Sequence, residues 1–168
     1  VMQQMMGGFF EASQSLSDQV GLYGFSGTGQ DNVVVYVFKD IDEPFSEDVY
    51  HRLAFLGGKS YNRNGAAYRH FTKKMAGLAA DKRFFIEISP TFDPNDVGYT
   101  GEHALSDSAQ AINGMRLQGI EPLCICLSDD EVSHQNLNRV YGSESRVITT
   151  PTELFQDLSG AYVRLSGR

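Results

Sequence analysis

Four oxygen-bearing side chains in one short stretch could hold a hard cation. Asp93, Asn95, Asp96 and Glu102 place three carboxylates and one amide within ten residues, and donors of that kind suit Mg²⁺ or Ca²⁺ better than a transition metal. The same residues, set beside Pro94 and Gly98, are also ordinary turn formers, so spacing leaves both readings open. His51, His70, His103 and His134 are scattered, with no HExxH or other paired ligand spacing, and they read as surface or hydrogen-bonded residues. No Gly-x-Ser-x-Gly elbow marks a nucleophile. Gly24, Gly27 and Gly29 have the look of a phosphate loop. They lead, however, into the β-branched run Val33-Val34-Val35-Tyr36-Val37-Phe38 and not into a helix N-terminus, so a glycine hairpin is the better reading. Cys124 and Cys126 alternate within an apolar run, which points both sulfurs to one side without the geometry of a bridge. They read as reduced core thiols. Nothing in this inventory singles out an enzyme.

The elements that must position these residues follow from composition and pattern. With 41% hydrophobic residues in a chain of 168, one domain with a real core is expected. A net charge of -7 argues against a nonspecific nucleic-acid or anionic-membrane binder. No apolar run approaches the roughly 20 residues that span a bilayer, the first residues lack the charged start of a signal peptide, and the cytoplasm is the expected compartment.

Met2, Met5, Met6, Phe9, Phe10, Leu16 and Val20 recur at helical spacing, predicting an amphipathic helix that stops at Gly21. It begins without a cap, as if cut from a longer chain. Residues 22–26 and 33–38 predict a hairpin at the edge of a larger sheet, its second strand fully buried. Helical patterns follow at 47–56 and 65–80, then a strand at 84–88 and a long loop at 89–101. Such loops at the carboxyl ends of strands are where α/β sheets keep their sites. A helix at 107–118 and a strand at 123–127 come next, with Ser128 and Glu131 as a capping box for another helix. A strand at 146–149 leads to Thr150-Pro151-Thr152-Glu153, the start of a final helix with Leu154, Leu158, Tyr162 and Leu165 on one face. Strands alternating with helices predict an α/β fold, a mostly parallel sheet with helices on both faces.

Several segments, in order, resemble the von Willebrand factor A (VWA) domain at the C-terminus of the NorD and CbbO proteins. They are Gly24-Phe25-Ser26-Gly27, Phe38-Lys39-Asp40-Ile41-Asp42-Glu43 and Tyr61-Asn62-Arg63-Asn64-Gly65-Ala66-Ala67-Tyr68-Arg69-His70, then Pro94-Asn95-Asp96, Tyr99-Thr100-Gly101, Asp107 and Gly119. The resemblance covers nearly the whole chain, so residues 1–168 are taken as a single VWA-like domain. It implies a Rossmann-like sheet, mostly parallel with one antiparallel edge strand, and a metal-ion-dependent adhesion site (MIDAS) above its central strands. In such a site a partner's carboxylate completes the Mg²⁺ shell.

The chain departs from that pattern at every loop. The first strand, with its Asp-x-Ser-x-Ser, would precede Val1, and Ser13, Ser15 and Ser17 lie in a helical pattern and cannot replace it. The family's threonine aligns with Asn62. Its Ser-Asp-Gly becomes Ser89-Pro90-Thr91, with Asp93 near enough to substitute. Either the MIDAS has degenerated, which is the favoured reading, or Asn62 and Asp93 serve a weakened Mg²⁺ site with residues upstream of Val1. A missing central strand would leave ladder groups unpaired inside a core, so an upstream segment or another piece of chain is expected in that slot.

The resemblance implies a non-catalytic adaptor that pairs with a MoxR-type AAA+ ATPase hexamer and directs it to a target protein, a metalloenzyme or rubisco. Tyr61, Arg63, Arg69, His70, Asp96 and Tyr99 are the expected contact residues; nucleic acid and membrane are not expected partners. Two alternatives are a VWA subunit of a cobalt or magnesium chelatase and a scaffold domain of a larger assembly.

Overall fold

A computed structural model describes residues 18–57, 61–128 and 130–147, with the helical positions Glu153, Gln156, Gly160 and Val163 beyond them. The predicted N-terminal helix falls almost entirely outside these residues. Its last positions, from Asp18 to Gly21, have irregular backbone.

Two strands open the described fold, β1 (Leu22–Gly27) and β2 (Val33–Lys39). They pair antiparallel, Phe25 against Val35, across a turn in which Gly29 takes φ +82°, a left-handed conformation that favours glycine. The turn closes with Thr28 N–H donating to Asn32 O at 3.0 Å. Val34 and Val37 are 38% and 47% exposed, so β2 is not the fully buried strand that its apolar run predicts. Among the described residues it pairs with β1 alone, and an outer strand keeps solvent on part of both faces.

The short helix α1 (Glu47–Leu53) lays Val49 and Leu53 on Phe38. Below the hairpin, Tyr23 Oη donates to Asp40 at 2.6 Å and Lys74 Nζ lies 2.9 Å from the same oxygen. These bonds, Tyr23's first, hold the Asp40 carboxyl down at about 2.

The helix α2 (Asn64–Ala76) follows, then β3 (Arg83–Ser89), α3 (Gly101–Leu117), β4 (Ile120–Cys126), α4 (Glu131–Val140) and β5 (Ser145–Val147). The three strands form a parallel sheet in the order β3-β4-β5, which makes the fold mixed α/β as predicted. Its register sets Ile88 beside Ile125 and Cys126 beside Val147. Among the described residues no ladder joins this sheet to the β1–β2 hairpin. Both nonetheless pack on α2. Phe25 meets Tyr68 and Phe71 edge-on, and Phe85 meets the same two rings from β3.

Alternation along β4 turns Ile120, Cys124 and Cys126 to the core shared with Tyr68, Phe71, Ile112, Met115 and Leu137. Both thiols are free and buried, and burial pushes them above the ordinary cysteine value.

Several boundaries differ from the pattern reading. α3 begins at Gly101, ahead of the predicted residue 107, and its buried stripe starts with Ala104 and Leu105. The cap of α4 is Asp130, whose Oδ1 accepts from Ser133 N–H at 2.8 Å, and Ser128 donates to Asp130. Helices α1 and α2 end at Leu53 and Ala76, a few residues early. The predicted segment at 150–152 and the apolar face of the last helix lie outside the described residues. Among those described, no helix is long and apolar enough to cross a membrane.

Candidate functional site

Three loops meet at one end of the strands: the β1–β2 turn, residues 61–63 before α2, and residues 90–100 between β3 and α3. Backbone bonds stitch them. Gly27 N–H donates to Tyr61 O at 2.7 Å, while Asn62 and Asn95 exchange bonds of 2.9 and 3.1 Å. Asp96 and Tyr99 close a tight turn with bonds of 2.8 and 2.9 Å, and Gly98 supplies the left-handed residue, φ +67°.

The side chain of Asp96 locks the junction. It is wholly buried, and Gly29 N–H donates to both of its oxygens, at 2.9 and 3.0 Å. Val97 N–H donates to Oδ1 at 2.7 Å, and Arg63 Nε lies 3.5 Å from Oδ2. The Arg63 guanidinium also sits 4.5 Å from the centre of the Tyr99 ring, a cation–π contact that holds it over the loop.

Tyr99 carries the lock into the helices. Its hydroxyl accepts from Gly65 N–H at 3.1 Å and donates to Asp107 Oδ2 at 2.8 Å. Burial pushes that hydroxyl up. Asp107 pairs with Arg69 as well. Its burial would raise the carboxyl, but the bonds from Arg69 and Tyr99 outweigh that and bring it below the ordinary value. A Cβ on Gly65 would lie 1.9 Å from Asp107 Oδ2, so glycine leaves room there for the Asp107 carboxylate. On the other side, Phe92 is buried, with its N–H accepted by Ser133 Oγ at 2.9 Å and its carbonyl bonded to Asn136 at 3.1 Å.

The contact residues expected from the sequence therefore divide into two groups. Tyr61 is 54% exposed and Arg69 half-exposed, and His70 lies on the surface with its ring edge-on to Phe71. Asp96 and Tyr99 are each 2% exposed. They shape the face from beneath and do not present a side chain on it, which corrects their assignment as contact residues. Arg63 is nearly as enclosed.

The residues present do not fit a divalent cation. Asn62 Oδ1 faces Asn95 N–H at 3.3 Å, both Asp96 oxygens are occupied by backbone amides, and Asp93 is exposed. Among the described residues no three His, Cys, Asp or Glu side chains group so as to hold a metal. A hard cation needs several oxygens converging on one point.

Sequence reasoning missed the buried centre behind the loops. Glu87 on β3 is buried and accepts from Tyr68 Oη at 2.5 Å and Tyr141 Oη at 2.6 Å. Asn64 Nδ2 donates to Tyr68 Oη at 2.8 Å. Burial pushes the Glu87 carboxyl up, against the two hydroxyl bonds that pull it down. The single acidic residue in Phe84-Phe85-Ile86-Glu87-Ile88 was its one visible signal.

No family model matches the chain and no solved structure is detectably similar. Among curated proteins, the uncharacterized protein PA0525 of Pseudomonas aeruginosa is 34% identical over 159 residues, 94% of this chain and 26% of that protein. Protein NorD of Brucella suis is 33% identical over 118 residues, 70% of this chain and 18% of its own length. Protein NorD of Stutzerimonas stutzeri is 30% identical over 120 residues, covering 71% and 19%. The chain is thus similar to NorD-named proteins over most of its length, and spans about a quarter or less of the curated relatives it matches.

Proposed function

We propose that this chain is the VWA-like recognition part of a NorD-type accessory protein, without catalytic activity of its own. It acts with a MoxR-type AAA+ ATPase hexamer in the cytoplasm and presents that motor to a target protein, a metalloenzyme or rubisco. The observation that carries this reading is the locked three-loop face. Its buried side chains are committed to holding loops in place, and Tyr61 and Arg69 are exposed on that base. Such a surface suits docking more than chemistry. Similarity to NorD proteins along some 70% of the chain supports the same assignment.

Metal has no part in this reading. Arg63 supplies the positive charge beside Asp96, so the face is expected to hold its shape in a chelator. The test is to mix full-length protein with MoxR-type ATPases of the same source and to follow co-elution and ATP hydrolysis, with and without EDTA pretreatment of the accessory protein. A complex that survives the pretreatment and alters hydrolysis is expected. A complex lost on chelation and restored by Mg²⁺ added to the accessory protein alone would restore the MIDAS reading.

A further inference from the structure

Arg63 differs from the other arginines among the described residues in donating no hydrogen bond to any of them. Arg52, Arg69, Arg83, Arg116, Arg139 and Arg146 each donate to a carbonyl or a carboxylate. The Arg63 side chain keeps only 12% of its surface exposed, and its Nε lies 3.5 Å from Asp96 Oδ2 without a hydrogen-bond partner. The two Asp96 oxygens are already filled by the amides of Gly29 and Val97. A guanidinium carries five N–H donors and no acceptor, and a charge so enclosed is expected to be hydrogen-bonded. The Arg63 fork therefore calls for an acceptor that the described residues do not supply.

Its geometry says which part of the fork is open. Nε is buried, whereas neither Nη is enclosed in that way, so the paired Nη1–Nη2 edge is left for a ligand. The Tyr99 ring holds the guanidinium in place at 4.5 Å, and Asp96 flanks its Nε. Gly27 backs the stem, since a Cβ there would come 3.5 Å from Arg63 Cβ. Arg63 also occupies the N-cap of α2, where no side chain caps the helix and the first turn holds no acid. A cation at that end lies against the positive pole of the helix, and an anion there would answer both charges. Two parallel donors match the two oxygens of a carboxylate. One guanidinium beside Asp96 suits a singly charged group better than a doubly charged phosphate.

We propose that the Nη1–Nη2 edge of Arg63 binds a carboxylate of a partner protein, an aspartate or glutamate side chain, directly and without a metal. The proposal rests on the docking reading above for the partner being a protein, while the chemistry of the fork stands apart from it. Because the fork is already oriented, little ordering remains to be lost on binding.

The test uses no ATPase, so its failure is distinguishable from failure of the accessory reading. Full-length protein carrying ¹⁵N-arginine is titrated in EDTA at constant ionic strength with N-acetyl-aspartate amide, its asparagine analogue and its phosphoserine analogue. The Arg63 Nε–Hε resonance is followed, assigned by its loss in Arg63→Lys or, should that variant not fold, by its contact with the Tyr99 ring. A saturable shift with the aspartate compound is expected, roughly tenfold tighter than with the asparagine compound, because hydrogen bonds between ions are the stronger kind. No saturable shift up to about 0.1 M ligand would overturn the proposal. So would an equal response to asparagine, a preference for the phosphoserine compound, or a shift that needs Mg²⁺ in place of EDTA.

Discussion

Replacing Asp96 tests whether one buried carboxylate organises the loop face. Its side chain is wholly enclosed and takes three backbone contacts, two from Gly29 N–H and one from Val97 N–H, besides facing Arg63. Asp96→Ala leaves two amides without their acceptor and a mostly buried guanidinium without its counter-charge. Breaking a buried pair by removing one partner costs about 3–5 kcal/mol. Two lost charge-assisted bonds, each about 1.5–3 kcal/mol, give a similar figure of about 3–6 kcal/mol. Asp96→Asn keeps one acceptor oxygen and the shape but loses the charge, so about half that cost is expected. The assay is urea unfolding of the full-length variants, read with amide exchange at Gly29 and Val97. Both amides should lose protection in Asp96→Ala, and Gly29 should exchange ahead of the β3–β4 ladder. A variant within about 1 kcal/mol of wild type, with Gly29 still protected, would refute the reasoning.

Three further outcomes follow from other contacts. Gly65→Ala should destabilise by about 1–3 kcal/mol because its Cβ would overlap Asp107 Oδ2 and displace it from Arg69 and Tyr99; a neutral change in urea unfolding would show that the Asp107 carboxylate can turn aside without loss. Arg69→Ala removes a half-exposed pair with Asp107 and should change stability by less than about 1 kcal/mol, so any larger loss of ATPase co-elution reports on contact and not on folding. Glu87 has a folded pKa raised above its unfolded value, chiefly by burial. Its contribution to stability is therefore fully present below the unfolded value and is lost as pH rises through the folded one. Glu87→Gln should flatten that fall in urea midpoints, and a wild-type and variant difference that does not change with pH would contradict the raised value.

How much of this was legible beforehand depended on whether the signal was local. The hairpin, α2, β3 and β4 follow from alternation, helical spacing and glycine placement, all readable along the chain. The start of α3 was not, because Gly101 with φ +53° and a polar first turn resemble the loop before them. The cap of α4 was misplaced by two residues, since Ser128 and Asp130 both suit the position and only the bond to Ser133 decides. At the candidate site, Tyr61, Arg63, Arg69, His70, Asp96 and Tyr99 were expected as contact residues. The burial of Asp96 and Tyr99 was invisible: an aspartate in a Pro-Asn-Asp turn gives no sign that two distant loops close over it. Glu87 and its two tyrosines come from β3, α2 and the residue after α4, and no pattern links them before the chain folds. The expected strand between hairpin and parallel sheet rests on the same long-range geometry. β1 and β3 pack on one helix without a ladder between them among the described residues.

The central claim is that the locked loop face recruits an ATPase motor. Its most direct test is co-elution and ATP turnover of a MoxR-type ATPase from the same source with full-length wild type and with Tyr61→Ala/Arg69→Ala. The account predicts a complex with altered turnover for wild type, weakened at least about fivefold in the double variant, whose fold is unchanged. Absence of a complex with every such ATPase, or a complex indifferent to both substitutions, would contradict it.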